Sequence, residues 1–383
     1  MKNTVFSSQT SRGSQAGLTL VEFMVSIVIG MLLIAALATL IANQSSTRAE
    51  IDKSGRMIEN GRYAVGVIAN DAQGAGYWGE LTTQPAVPAA VPDPCSTNLA
   101  DLQAAFGVPI QGYDSLTAAA LAPSCVGTTY KVGTDILVVR RLDPDMSSVQ
   151  DAGGDIDLSK LTSQAGQVFM QTGLDATGTV LTFSLGYASA TSATNATTFS
   201  LKKKVAAKIA NVRKYMVHIY FVSQCSVPVA GSCTGADGGT PIPTLKRVEL
   251  STASGAPAFT TVTIAEGIEN FQVDYGVDTD SDGSPNIDSN GTACTTGDAT
   301  CTAAVVAAKL VVPFGANDWA NVTAVKMHLL ARSGEKVIGF ADTKTYAFGT
   351  AGSASAPTGD ESYKRHMFVQ AVRVVNPAIR RAL

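Results

Sequence analysis

The sequence predicts an α+β protein in which one long N-terminal helix packs on an antiparallel β-sheet with loop-rich insertions. Three observations carry that expectation. An apolar run opens the chain from Leu18 to Ala42. Apolar residues then recur at helical spacing as far as Ala72. Beyond residue 80, short β-branched or aromatic segments alternate with stretches rich in Gly, Ser, Thr and Pro.

The apolar run, LTLVEFMVSIVIGMLLIAALATLIA, contains Glu22 as its one charged residue, and no further charge occurs before Arg48. As a helix it reaches about 37 Å, enough to cross a hydrocarbon core of about 30 Å. A cleaved secretory signal has a shorter apolar core, about 7–15 residues. This run continues into further helical sequence, so a simple signal anchor is the plain alternative. Lys2 and Arg12 precede it and no acid comes before Glu22. The basic end is therefore expected to stay in the cytoplasm, with the remainder across the membrane. The formal net charge of −3 gives no pointer to nucleic acid, and 45% hydrophobic residues supply a core for one large or two modest domains.

Beyond Asn43 the chain turns polar, yet Ile51, Ile58, Val65 and Ala72 recur every seven residues, with Ile68 between the last two. Such a stripe predicts an amphipathic helical half lying against a sheet. Gly55, Gly61 and Gly66 each weaken a helix by about 1 kcal/mol relative to Ala, so this half is expected to bend or to rely on packing. Gly74, Gly76 and Gly79 are expected to end it. The predicted organisation is a membrane half over 18–42, an amphipathic half over 43–79 and a β-rich domain over 80–383, with room for an inserted subdomain across 85–245.

Strands are predicted at Asp135 to Arg141, Val180 to Leu185, Tyr215 to Ser223, Phe271 to Val277, Val325 to Ala331 and Met367 to Val375. In the third, Tyr215, Val217, Ile219 and Phe221 would share one face. Pro85 to Pro94, Ala188 to Thr198, Ala230 to Pro243 and Thr350 to Asp360 read as surface loops. The cysteines fall in three sequential pairs, Cys95 with Cys125, Cys225 with Cys233 and Cys294 with Cys301, all on the side expected to be oxidising. Six cysteines permit many connectivities, and neighbour pairing is the expectation. The rival metal site lacks a C-x2-C element and nearby histidines.

Asp278, Asp280 and Asp282, followed by Gly283, have the D-x-D-x-D-G form that opens Ca2+ loops. Ser284, Asn286 and Asp288 offer further oxygens. The terminal Glu of an EF-hand is missing, since Ser289 stands at the twelfth position, and a plain solvated turn remains open beside the Ca2+ reading. No G-x-S-x-G, H-E-x-x-H, G-x-G-x-x-G or P-loop motif occurs. His218 and His328 fall in predicted strands and His366 among basic residues near the C-terminus. A non-enzymatic role is expected, with a membrane-anchored periplasmic enzyme as the competing class.

An intramembrane carboxylate is costly and marks function, with a partner to be named. Around Glu22 the sequence Ala16-Gly17-Leu18-Thr19-Leu20-Val21-Glu22 after a short basic leader resembles the processing site of type IV prepilins. That resemblance implies a leader over 1–17, cleavage after Gly17 by a prepilin peptidase and methylation of the new N-terminal Leu18, where Phe is commoner in the family. It also implies that Glu22 meets the amine of Leu18, from its own chain or a neighbour, and sets subunit register. Further along, Asn60-Gly61-Arg62-Tyr63-Ala64 and Ala72-Gln73-Gly74-Ala75-Gly76-Tyr77-Trp78-Gly79 resemble the PilW family of minor pilins, though Glu80 stands where many relatives have Cys. Ala265-Glu266-Gly267-Ile268-Glu269 leading to Tyr275-Gly276, and Val325-Lys326-Met327-His328 leading to Arg332-Ser333, resemble later strands of that family.

The resemblance implies a pilin-like fold and a minor pilin that primes assembly of a type IV pilus and sits at or near its tip. It implies a single-pass inner-membrane form with a periplasmic C-terminal domain that later joins the pilus. Other minor pilins, the major pilin and a tip adhesin would be partners. A minor pseudopilin of a type II secretion system shares the same leader and is the runner-up. Gly17→Val is expected to leave uncut precursor in the membrane, because the peptidase needs a residue without a side chain before the scissile bond. A mature-sized band from that variant on a gel would refute the cleavage site.

Overall fold

One helix, α1 (Leu20–Gln73), opens the described chain. The computed structural model describes residues 17, 19–83, 85–175, 177–204, 208–288, 314–337 and 339–381. Leu18, Cys294, Cys301 and Ser289 lie outside the described residues. The chain forms two units, Met1–Asp52 and Lys53–Leu383, which divide within α1. In the first, apolar side chains from Leu20 to Ile41 are exposed all round the helix.

The heptad stripe is buried only in its lower part, which lies in the second unit. Val65, Ile68 and Ala72 are in the core, whereas Ile51 and Ile58 are 64% and 39% exposed. Met57 and Ala64 are buried instead. An α-helix drifts against a strict seven-residue repeat by about 20° per heptad, so residues seven apart do not stay on one face over three repeats. The helix is unbroken at its glycines. At Gly61 the reason is contact: a Cβ there would come within 2.1 Å of the Phe368 ring.

Seven antiparallel strands form the larger sheet: β1 (Ile110–Tyr113), β2 (Ile136–Leu142), β3 (Val168–Leu174), β4 (Leu181–Tyr187), β5 (Val212–Ser223), β6 (Thr244–Ala253) and β7 (Ala256–Glu266). Their order is β1-β2-β5-β3-β4, and β6 joins β5 to β7. A second sheet orders β13 (Arg365–Arg373), β10 (Val322–Arg332), β8 (Ile268–Val277) and β9 (Ile287–Asp288). β11 (Thr345–Ala347) and β12 (Ser353–Ser355) make a small hairpin. The six predicted strands are all present. β1, β3, β6, β7, β9, β11 and β12 are additions, β12 inside the stretch from Thr350 read as a loop, and within the stretch read as a loop from Ala188, Ser192–Thr198 is helical.

The central strand, β5, explains why the two largest cores are separate. Tyr215, Val217, Ile219 and Phe221 face one core with Trp78, Phe106 and Val138. Tyr220 and Val222 face the other, which joins α1 residues such as Val65 and Ile68 to Phe271 and Met327 of the second sheet. Both faces of this strand are thus dry, as its near-continuous apolar sequence demands. After α1 the chain turns at Gly76, with φ +70°, where a Cβ would press on Pro377 and Pro109. Trp78 then stacks on Phe106 at 4.8 Å between centroids.

The last turn of α1 carries a buried acid, Asp71, 4% exposed. Arg141 on β2 pairs with it at 2.6 Å, His218 on β5 approaches its other oxygen at 2.7 Å, and the Tyr220 hydroxyl donates to it at 2.9 Å. Burial alone would raise this carboxyl, but His218 and Arg141 overrule it and hold it down at about 2. Because the folded value lies below the ordinary 3.8, the carboxylate adds stability above that pH. The gain is about 2 kcal/mol at neutral pH, and it disappears as pH falls from about 4 through about 2. Asp71→Ala leaves Arg141 unpaired and is expected to cost about 3–5 kcal/mol in urea unfolding at pH 7. In Asp71→Asn the acid-dependent loss of stability between pH 4 and 2 should be visibly flatter than in the wild type.

Candidate functional site

The processing and anchoring segment is built from local rules. Gly17 is exposed, and a Cβ on it would touch nothing within 4 Å. Thr19 precedes the first residue of α1, and its hydroxyl accepts the Glu22 backbone N–H at 3.3 Å. Thr19 and Glu22 therefore form half of a capping box, T-x-x-E, whose acid stands at the positive end of the helix dipole. That cap was readable in the sequence from the spacing, and it gives the Glu22 carboxylate partial compensation within its own helix.

Past Glu22 the helix satisfies its own polar side chains. Ser26 donates to the Glu22 carbonyl at 2.7 Å, Thr39 to Ala36 and Thr47 to Asn43, both at 2.8 Å. Hydroxyls bonded back to the helix need no water, a condition for burial in hydrocarbon. From Leu20 onward this helix is long and apolar enough to cross a membrane.

Residues 12–38 match the family model of the prokaryotic N-terminal methylation motif, and residues 219–376 that of the type IV pilus-assembly protein W. The chain is thus similar to type IV pilin-like proteins at its N-terminus and to the PilW family over residues 219–376. The stretch 60–79, which also resembles this family, lies outside both matches. No curated protein is matched by the sequence. A type IV-like pilin from Thermus thermophilus is among the similar solved structures, at 14% identity over 43% of this chain and 78% of that one. Its TM-score of 0.19 adds nothing to the family match.

Within the PilW-matched region the family-like motifs hold strands together. Gly267 takes φ +78° between β7 and β8, and its carbonyl accepts the Arg332 N–H at 2.7 Å. The Arg332 guanidinium lies 4.1 Å over the Tyr363 ring. Glu269 on β8 pairs with Arg365 on β13 at 2.5 Å, and Asp342 joins the same guanidinium at 3.3 Å. Sequence reasoning quoted Glu269 as part of a motif without finding this partner, nearly one hundred residues away and two strands across.

Two of the expected disulfides are formed, Cys95 with Cys125 and Cys225 with Cys233. Cys294 and Cys301 lie outside the described residues. His218 and His328 are both buried and each meets an aspartate, Asp71 and Asp274 respectively.

The acidic loop follows β8 directly. Ligand oxygens of Asp278, Asp280 and Asp282 come within 4.8 Å of one another. Asp288 is not part of that group and pairs with Gly276 in the β8–β9 ladder, while the Asn286 side chain accepts from Thr279. Asp278 is fully buried and accepts Ser281 and Gly283 N–H groups, while Arg381 binds it at 2.8 Å. Burial would raise this carboxyl, but Arg381 and the two N–H groups bring it below the ordinary value. The Arg381 guanidinium thus supplies a positive charge at Asp278, while Asp280 and Asp282 stay exposed beside it. If the loop takes Ca2+, millimolar calcium is expected to raise the melting temperature over chelator, and changing Asp280 and Asp282 to Ala to abolish the difference; no shift would leave the plain turn. Arg381→Ala, which strips a buried carboxylate of its partner, is expected to cost about 3 kcal/mol.

Proposed function

We propose that this chain is a low-copy minor pilin that primes assembly of a type IV pilus and is incorporated at or near the tip. The observation that carries this reading is the exposed stretch from Leu20 to Ile41, apolar but for Glu22 and a few hydroxyls, most of which lies within the methylation-motif match over 12–38. Such a face has no use in water and is suited first to a bilayer and then to a bundle of like helices. A 383-residue chain with two sheets is bulkier than a repeating subunit needs, which favours a capping position.

In this reading the leader is removed after Gly17 by a prepilin peptidase, and Leu18 becomes the methylated N-terminus. The basic leader stays in the cytoplasm and the β domain folds in the periplasm, where its disulfides are stable. Partners are other minor pilins, the major pilin and a tip adhesin, and the role is one of assembly and not of catalysis. The PilW match over 219–376 favours a pilus over a type II secretion pseudopilus.

Glu22→Ala separates anchoring from assembly. Removing a carboxylate from an apolar helix does not harm insertion, and cleavage after Gly17 is expected to persist. Entry into the filament is expected to fail, because the Leu18 amine then meets no carboxylate. The check is a comparison of membrane and sheared-filament fractions by immunoblot. Wild-type amounts of the variant in filaments would refute the register role of Glu22.

A further inference from the structure

A cavity of about 470 Å3 lies at the seam between the two sheets. Gly112 and Tyr113 of β1 form one side, and Gln272 to Tyr275 of β8 the other. Its volume is within the range of small-molecule sites.

The aromatic wall is a box. Trp319 meets Tyr275 at 4.8 Å with the rings at 89°, and Phe314 at 4.9 Å with the rings at 59°. Three carboxylates also line the cavity, Asp114, Asp135 and Asp274, and no Lys, Arg or His does so among the described residues. Asp114 is exposed, whereas Asp135 is 4% exposed and accepts backbone N–H groups of Ser115 and Val273 at 2.9 and 2.7 Å. Asp274 is tied to His328 behind it, at 3.1 Å, and accepts the Thr350 N–H at 3.1 Å.

A second observation is independent of the acids. Tyr275 is 7% exposed, and its hydroxyl has no hydrogen-bond partner among the described residues. It stands directly over Gly112, where a Cβ would come within 2.1 Å of it. A buried hydroxyl left unpaired costs about 1–3 kcal/mol, which a ligand would recover. Burial also pushes Asp135 up to about 7, against the N–H groups that lower it, a penalty that a positive ligand would relieve.

We propose that this cavity binds the primary ammonium group of a small organic amine. An ammonium has three donors and no acceptor, and here it meets a free phenolic oxygen, carboxylate oxygens and aromatic faces. A neutral sugar would find the same rings and could donate hydroxyls to the acids, but it would leave their charge unbalanced. An inorganic cation would gain nothing from the rings' apolar surface.

Trp319 supplies the readout, since the only other tryptophan, Trp78, is buried in the other core. The full chain in non-ionic detergent is titrated with n-butylammonium chloride, n-butanol and potassium chloride while tryptophan fluorescence is followed. The expected result is a saturable change with butylammonium alone, absent in Trp319→Phe. Tyr275→Phe removes only a hydroxyl without a partner, so folding is preserved, and it is expected to weaken binding about tenfold. Asp114→Asn, at the exposed rim, is expected to weaken it about threefold. Equal titration by butanol, no saturable change in the wild type, or unaltered midpoints in both variants would overturn the proposal.

Discussion

The β domain is organised around the burial of Asp71 at the end of α1. Taking a carboxylate out of water costs several kcal/mol, and a helix C-terminus adds the negative end of its dipole to that cost. The acid is tolerated because β2 and β5 deliver Arg141, His218 and Tyr220 to it at hydrogen-bond distance. Arg247 of β6 in turn donates to the Tyr220 hydroxyl at 3.3 Å, so three adjacent strands contribute to neutralising one helical residue. Apolar contacts alone would let the helix slide along the sheet, since Ala64, Ile68 and Ala72 are similar small or aliphatic knobs. A directional ion pair removes that freedom and sets where the helix stops.

The same end of α1 is held from a second direction by the last residues of the chain. In α5 (Val375–Arg381), Asn376 donates to the carbonyls of Gly74 and Ala75, and Arg380 to that of Gly76. Carbonyls released at a helix C-terminus need partners, and here residues three hundred positions away supply them. Arg381 continues from there to Asp278 and Asn321. The acidic loop is therefore part of the closure between the two ends of the domain, which is why its charge is balanced by an arginine of the chain itself.

Much of this was legible in the sequence where burial is two-sided or repetitive. β2, β5 and β10 were found because their apolar residues run nearly without a break. β6 was missed because charged Lys246 and Arg247 stand side by side in it, Lys246 buried and Arg247 half-buried, which masks its apolar alternation. β3 was missed because its interior is Gln171, Thr172 and Gly173, residues that read as a turn. Gln171 is tolerated there because it donates to the carbonyls of Leu201 and Ala210 and accepts the Leu201 N–H. The acidic run was legible as a cluster, but its counter-ion came from the far end of the chain and carried no local signal. Long-range polar pairs such as Glu269 with Arg365 are invisible for the same reason.

The PilW match begins at Ile219, inside β5, so β1 to β4 lie outside it. They are nonetheless integral to the sheet, because β2 pairs with β5 from Leu137↔Tyr220 to Leu142↔Tyr215, and β3 pairs with the start of β5. A strand whose two halves pair with different neighbours is a natural place for sequence to be added. New strands can extend the ladder at one end without disturbing the register at the other, where His218↔Glu249 to Ser223↔Thr244 fixes β6. β1 to β4 also create surface that the matched region does not have by itself. β1 brings Gly112 and Tyr113 against β8, and the seam so formed encloses the aromatic and acidic cavity. Anchoring thus depends on the N-terminal segment, and strand closure on the matched region. β1, which precedes the matched region, completes a cavity with the chemistry to recognise something small.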